Sequence, residues 1–244
     1  MNYTFIEENI RKFENLMMQV DRDGTFNLVE FLQTETDFFT APASTNFHLA
    51  TEGGLLQHSL NVYDCLMGKR GNYIWRKALE EVPEESLILC ALLHDICKAN
   101  FYSKTTKNVK TYDEIKVKQA ERWRVKHDDM GDFIWETVPG YTVNDTDPFG
   151  HGEKSVWIIN RFLQLTPEES YAIRWHMGFS EPKENYNAVG KAMEMYPLVL
   201  ALHEADLEAS KLLEDTTGNK PLFDEPAKNC NTSYDILEED CPFF

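Results

Sequence analysis

A seven-residue apolar run, Leu87–Leu93, ends directly at His94-Asp95. The run follows Pro83-Glu84-Glu85, and it predicts a buried helix over residues 84–97 because it is apolar on every side. Seven apolar residues are too few to span a bilayer, which takes about 20. Burying an imidazole and a carboxylate at the end of such a helix is costly unless something compensates them. A bound divalent cation would compensate both groups.

Apolar residues recur at helical spacing in much of the remaining chain, which predicts a mainly α fold. Thr166-Pro167-Glu168-Glu169 forms a capping box with proline at the first helical position, and it predicts a helix start. The predicted helical segments are two within residues 1–40, one at 55–68, one at 84–97, and others that begin near residues 153, 167 and 197.

The helical pattern is interrupted around residues 100–145. Phe101-Tyr102-Ser103 and the β-prone stretch 109–112 flank a polar segment there. This arrangement predicts a small β-hairpin inserted into the helical frame, with the polar segment as its turn. Tyr141-Thr142-Val143 is a candidate for a further short strand.

No internal repeat or linker divides the chain, so we expect a single helical domain over residues 1–215. The N-terminal helices, residues 1–40, are expected to pack on this domain, and residues 216–244 form an acidic tail. The N-terminus lacks the basic start and apolar stretch of a signal peptide, and the five cysteines contain no CxxC pair. These features predict a cytoplasmic protein that does not associate with membranes.

The net charge of −17 is unevenly distributed. Residues 98–126 hold nine Lys or Arg against three acidic residues, a local charge of +6 that leaves −23 elsewhere. An acidic surface repels duplex nucleic acid, whereas a local basic patch suits a small anionic ligand. The alternative is that the basic segment is simply a solvated, charged hairpin.

Further histidine and aspartate side chains occur in helical contexts like that of His94-Asp95. They are His58 among the leucines of the third helix, His151 at a helix start, His176 at the end of an apolar helix, and Asp206 in the last long helix. A single histidine on an apolar face is more often a hydrogen-bonded core residue, but six such groups together favour a metal site. His127-Asp128, the second His-Asp pair, lies among charged residues and predicts an exposed pair without metal.

The order His58, His94-Asp95, His151, His176, Asp206 resembles the HD-domain superfamily of metal-dependent phosphohydrolases, in its binuclear form. The likeness to bacterial and phage HD hydrolases extends over about residues 25–215. It is carried by the motif residues Gly53-Gly54-Leu55-Leu56-Gln57-His58, Leu93-His94-Asp95-Ile96-Cys97-Lys98 and Gly150-His151-Gly152-Glu153-Lys154-Ser155.

This resemblance implies an HD-domain helical bundle that binds two divalent ions, for which Mn, Fe, Ni, Mg and Zn are all candidates. One ion would be held by His58, His94, Asp95 and Asp206. Asp95 would bridge to the second ion, which His151 and His176 would also hold. Such a pair of ions activates water for in-line attack on phosphorus, so the resemblance places Asp95 in the catalytic group.

The resemblance and the charge pattern also suggest residues that contact substrate. Lys98 matches a lysine that faces the phosphate in similar HD proteins, and Lys154 could also reach phosphate. We assign both to the predicted catalytic set, although the alternative for Lys98 is a helix-end lysine stabilised by the helix dipole. Lys104 and Arg174 are further predicted substrate contacts.

Three residues are predicted to lie beside the metal ligands without binding the metal: His48, Glu153 and His203. His48 precedes His58 by ten residues and could line the site. For Glu153, a hydrogen bond to a histidine ligand and a simple role as a carboxylate at a helix N-terminus are equal alternatives.

The leading functional prediction is a phosphohydrolase or phosphodiesterase with a small, anionic, phosphate-containing substrate. A nucleotide or a short cyclic or linear oligonucleotide fits this description. The first alternative is an HD-type di-iron oxygenase, because the same six ligands occur in proteins that resemble such enzymes. The second alternative is a non-catalytic regulatory module that the metal stabilises.

Overall fold

The computed structural model describes residues 3–214, so the predicted acidic tail lies outside the described residues. The chain is mainly helical, as predicted, with a small three-stranded antiparallel sheet. The helices are α1 (Tyr3–Met17), α2 (Thr25–Thr34), α3 (Gly54–Lys69), α4 (Tyr73–Ala78), α5 (Glu84–Leu93), α6 (Glu114–Gln119), α7 (His151–Ile159), α8 (Pro167–Trp175), α9 (Tyr186–Met195) and α10 (Pro197–Glu208). Short 3₁₀ turns occur at Ile96–Lys98, Gly178–Ser180 and Lys183–Asn185, and a π-helical turn at Ala209–Leu213.

Helix α5 is the centre of the hydrophobic core. Every side chain from Leu87 to Leu93 is at most 1% exposed, which confirms the predicted buried helix. Helices α1, α3, α8 and α10 pack around it. The helix ends at Leu93 rather than near residue 97, because Asp95 leaves helical geometry at φ −105° and a 3₁₀ turn follows.

The sheet contains β1 (Tyr102–Thr111), β2 (Lys126–Asp128) and β3 (Gly131–Val143), in the order β1-β3-β2. β1 pairs with β3 over its whole length, from Tyr102 opposite Val143 to Thr111 opposite Ile134. The prediction of a turn between residues 103 and 109 was wrong, because that polar segment is the middle of β1. Much of this strand is exposed, so it lacks the alternation of apolar and polar residues that marks a half-buried strand.

The predicted capping box at the start of α8 is confirmed. The Thr166 hydroxyl accepts a hydrogen bond from the backbone N–H of Glu169 at 3.2 Å, and the Glu169 carboxylate accepts one from the N–H of Thr166 at 2.8 Å. Arg22, in the turn between α1 and α2, donates two hydrogen bonds to the same carboxylate, at 2.6 and 2.8 Å. The N-terminal region is therefore tied directly to α8.

Within residues 3–214 no helix combines the length and the apolar character that crossing a bilayer requires.

Candidate metal centre

The structure brings together all six side chains that the sequence suggests as metal ligands. Five helices supply them: His58 lies in α3, His94 and Asp95 at the end of α5, His151 at the first position of α7, His176 at the end of α8 and Asp206 in α10. Helix α3 packs against α5 and α10, and α8 packs against α7 and α10, so the ligand-bearing positions face one another.

Asp95 lies in the middle of the cluster, and its Oδ2 atom faces one half of it. This oxygen is 3.5 Å from Nε2 of His58 and 3.5 Å from Nε2 of His94. The two Nε2 atoms are 3.3 Å apart, and Oδ1 of Asp206 is 3.2 Å from Nε2 of His58. Two imidazole nitrogens and two carboxylates thus share one small volume.

The Oδ1 atom of Asp95 faces the other two histidines. It is 2.7 Å from Nε2 of His151 and 3.5 Å from Nε2 of His176. The Nε2 atom of His176 is buried and has no hydrogen-bond partner. A buried polar atom without a partner is costly, so this nitrogen fits a ligand role.

Each of the four histidines has a hydrogen-bond partner at Nδ1, on the side of the ring that faces away from the cluster. The four Nδ1 partners are Glu214 Oε1 for His58 (3.0 Å), the Ala91 carbonyl for His94 (2.9 Å), Cys97 Sγ for His151 (3.3 Å) and the Ile173 carbonyl for His176 (2.7 Å). Partners at Nδ1 fix the ring orientation and leave Nε2 to face the cluster, which is the usual arrangement around a metal-binding histidine.

Burial and neighbouring charges shift the pKa values of these groups strongly. Burial alone would lower the pKa of His58, but Glu214 and Asp206 raise it to about 10. Burial alone would likewise lower the pKa of His151, but Cys97 and Asp95 raise it to about 10. Both rings therefore attract positive charge, which a divalent ion can supply in place of a proton.

The two remaining central groups illustrate the same balance. Burial lowers the pKa of His94 to about 3, so this imidazole is neutral and available as a ligand. Burial would raise the pKa of Asp95, but Lys98, His94 and His151 keep it well below its usual value. Asp95 is only 2% exposed, and imidazoles surround its ionised carboxylate. Carboxylate and imidazole together form a set of ligand atoms suited to a metal ion. These buried groups could hold a metal ion.

Sequence reasoning missed two residues that contact the histidines. Glu214 has a fully buried carboxylate that also accepts a hydrogen bond from Asn61 at 2.9 Å. Cys97 Sγ lies 3.3 Å from Nδ1 of His151, and Asp95 contacts Nε2 of the same ring. Glu214 lies at the C-terminal edge of the predicted helical domain, close to the acidic tail, and its composition did not distinguish it from the acidic residues there. Cys97 lies within the Leu93–Lys98 motif, and its position there was the one available indication.

Lys98 is the predicted phosphate-facing residue that lies closest to the cluster. Its Nζ donates a hydrogen bond to Oδ2 of Asp95 at 2.6 Å, and its side chain is 15% exposed. Lys98 follows Asp95 by three residues, and the 3₁₀ turn places the two side chains on one side, because residues three apart eclipse each other in that geometry.

The other predicted substrate contacts lie among different partners. Lys154 Nζ donates to Asp145 Oδ1 at 2.7 Å, and Arg174 forms an ion pair with Glu181 at 3.1 Å. Arg174 also pairs with Glu153, so the Glu153 carboxylate contacts a guanidinium rather than a histidine ligand. Lys104 lies on exposed β1. The structure does not show a contact of these residues with the cluster, and their roles in binding substrate stay predictions.

His48 and His203 both lie next to a predicted ligand. The His48 ring is 4.9 Å from that of His58, and its buried Nε2 has no hydrogen-bond partner. Burial lowers the pKa of His48 to about 4, so the ring is neutral. His203 Nδ1 donates to the backbone carbonyl of His176 at 2.7 Å, which supports the end of α8 where that histidine lies.

A glycine allows α7 and α8 to approach closely at the cluster. A Cβ atom on Gly152 would lie 2.2 Å from the carbonyl oxygen of Arg174, which is closer than any real contact. Gly152 follows His151, and Arg174 precedes His176 by two residues. Any larger residue at position 152 would therefore push the two histidines apart.

No family model matches the chain, and no curated protein or solved structure shows significant similarity to it.

Proposed function

We propose that the chain is a metal-dependent phosphohydrolase of the HD-domain type, with two divalent ions and a small phosphate-containing substrate. One observation carries the proposal. Four histidines direct Nε2 toward the two oxygens of a single buried aspartate, Asp95, while each Nδ1 atom is held from behind. Histidines that only fill a hydrophobic core need not direct four Nε2 atoms toward one carboxylate.

The division of the cluster supports two ions rather than one. Oδ2 of Asp95 faces His58 and His94, with Asp206 beside them, whereas Oδ1 faces His151 and His176. A carboxylate that presents a different oxygen to each of two ligand groups is suited to bridging. The first group would hold one ion and the second group the other.

When bound, two divalent ions supply Lewis acidity that lowers the pKa of a water and neutralises charge on phosphoryl oxygens. The chain's own residues set the geometry. Asp95 keeps the two ligand groups together, and Lys98 orients Asp95 through the 2.6 Å hydrogen bond while adding positive charge beside it. That charge favours an anionic substrate.

Exposure indicates the side from which a substrate would enter. The side chains of His58, His94 and His176 are at most 1% exposed, whereas that of His151 is 33% exposed. Substrate would therefore approach past His151 and Lys98. Because most of the cluster is buried, a nucleotide, a cyclic nucleotide or the end of a single strand would suit it better than a duplex.

The test is a hydrolysis panel on Mn²⁺-loaded protein. Its members are nucleoside monophosphates and triphosphates, cyclic mono- and dinucleotides, and short single-stranded oligonucleotides. We expect turnover of one class, and Asp95→Ala should abolish it because both ligand groups lose their shared carboxylate. Asp128→Ala, in the exposed His-Asp pair, is the matched control and should retain wild-type turnover.

Two results would overturn the proposal. One is the absence of turnover in every class although two ions are bound per chain. The other is oxygen consumption by the iron-loaded protein without any hydrolysis, which would assign the same cluster to oxygenase chemistry.

A further inference from the structure

Glu214 is a buried carboxylate at the end of the π-helical turn Ala209–Leu213. Its side chain is fully buried, although the residue lies two positions before the acidic tail. Burying a carboxylate is unfavourable unless hydrogen bonds or charges compensate it. The partners of Glu214 therefore indicate why the chain places it there.

Both main partners of Glu214 lie on α3, one turn apart. Oε1 is 3.0 Å from Nδ1 of His58 and accepts a hydrogen bond from Nδ2 of Asn61 at 2.9 Å, while Oε2 is 3.3 Å from the same His58 nitrogen. An ionised carboxylate has no hydrogen to donate, so His58 must carry its hydrogen on Nδ1. The lone pair of a neutral His58 ring is then on Nε2, which faces Asp95 and Asp206.

We infer that Glu214 is a positioning residue that fixes the orientation and tautomer of His58 as a metal ligand. This inference rests on the proposed metal centre and adds a residue to it. Glu214 acts through His58 and does not itself ligate the ion.

The other three histidines show why this contact is distinctive. Backbone carbonyls three residues earlier hold His94 and His176, and the thiol of Cys97 holds His151. Glu214 is the charged acceptor among the four Nδ1 partners, and it comes from 156 residues away in sequence. A carboxylate at Nδ1 makes the imidazole a stronger donor at Nε2. The half of the cluster around His58 should therefore depend on Glu214 for its metal affinity.

The π-helical turn explains how the chain delivers this carboxylate. The backbone N–H of Glu214 donates to the carbonyl of Ala209 at 3.1 Å, a five-residue span that widens the last turn after α10. Asp206, on α10, lies on the other side of the same imidazole. One continuous segment therefore contacts both nitrogens of His58.

The experiment compares Co²⁺ affinity, read from visible absorbance, in the wild type, Glu214→Ala, Glu214→Gln and Glu169→Gln. We expect Glu214→Ala to weaken the affinity by about 10- to 100-fold. Glu214→Gln should recover much of this loss, because the amide oxygen can accept the same hydrogen bond from Nδ1. Glu169→Gln alters another fully buried glutamate, which binds Arg22, and should lower thermal stability with unchanged Co²⁺ affinity.

Wild-type affinity in a folded Glu214→Ala protein would overturn this inference and leave the metal centre intact. An equal loss of affinity in Glu169→Gln would also overturn it, because the effect would then be general destabilisation. Failure of the wild type to bind Co²⁺ or Mn²⁺ would instead overturn the proposed function, and the inference with it. The titration separates these cases without any measurement of hydrolysis.

Discussion

The chain contains the dipeptide His-Asp twice, once in the helical body and once in the sheet, and the two copies differ in burial and in the groups that contact them. His94 and Asp95 are at most 2% exposed and lie among three further histidines. His127 and Asp128 lie at the surface, where His127 pairs with Asp132 and Asp128 accepts hydrogen bonds from Lys110 and Tyr112.

This difference shows that burial, rather than the dipeptide itself, marks the candidate site. Water and nearby polar groups satisfy each member of the exposed pair. The buried pair has lost its hydration, so its charges and lone pairs need protein groups or a bound ion. Four further candidate ligands, His58, His151, His176 and Asp206, lie in the same cluster. Among residues 3–214, the exposed pair lies in no such cluster.

The largest expected effect is on metal binding when the two histidines are exchanged for alanine. His94→Ala should lower the affinity for Mn²⁺ by more than about 100-fold. Loss of a group that only hydrogen-bonds a ligand lowers metal affinity by about 10- to 100-fold, and loss of the ligand itself should lower it further. His127→Ala should bind metal as the wild type does. Metal content after dialysis against a series of free Mn²⁺ concentrations measures both, and equal losses would remove the distinction between the two pairs.

The helical body and the clustering of the six candidate side chains could be predicted largely from sequence. Helical periodicity survives in short windows, and the apolar run before His94-Asp95 identifies the buried helix. Chemistry-bearing residue types in apolar surroundings then identified the six candidate ligands. These features are local, so they can be detected without knowledge of the tertiary structure.

Features that depend on distant contacts could not be predicted in this way. Glu214 meets His58 across 156 residues, and no local pattern distinguishes it from the acidic residues that follow. β1 is largely exposed, so the polar sequence at its centre resembles that of a turn. The basic segment 98–126 lies largely within an insertion that has no net charge. Residues 101–146 carry eight Lys or Arg and eight Asp or Glu, and Lys116 pairs with Glu136 across the insertion.

The buried ion pair of Arg22 with Glu169 can be compared with the more exposed pair of Lys110 with Asp128. Burial would raise the pKa of Glu169, but hydrogen bonds from Arg22 and Ser86 outweigh it and hold the pKa below its usual value. Glu169→Gln should lower the free energy of unfolding by about 2 kcal/mol at pH 7, because it removes charged hydrogen bonds in a buried position. Urea denaturation followed by circular dichroism measures this loss.

The sign of the pH dependence follows from the lowered pKa of Glu169. A carboxylate with a lower pKa in the folded state stabilises the fold above the unfolded value of 4.5, and this contribution disappears as the pH falls through the folded pKa. The difference in stability between the wild type and Glu169→Gln should therefore shrink as the pH drops below 4.5. A difference that stays constant down to pH 2 would contradict the assigned ion pair.

The insertion offers a smaller effect on substrate binding. Lys107 donates to Asn46 Oδ1 at 3.0 Å, so the sheet reaches the loop that carries His48. The double variant Lys104→Glu and Lys107→Glu should raise KM several-fold at low ionic strength with little change in kcat, because exposed charges steer an anion without touching the reacting atoms. Added salt should reduce the difference. Lys118→Glu, on α6, is the charge-matched control, and unchanged KM in the double variant would exclude the insertion from binding.

The smallest effect should come from the exposed ion pair of Asp128 with Lys110. Both side chains are partly exposed to water, so the attraction between them offsets little more than the entropy lost in holding them together. Asp128→Asn should therefore shift Tm by less than about 2 °C, and raised salt should reduce even that shift. Differential scanning calorimetry of the metal-free protein isolates this effect from metal binding. A shift as large as that of Glu169→Gln would show that the sheet stabilises the helical body, and the contrast between a buried site and a merely charged surface would then no longer hold.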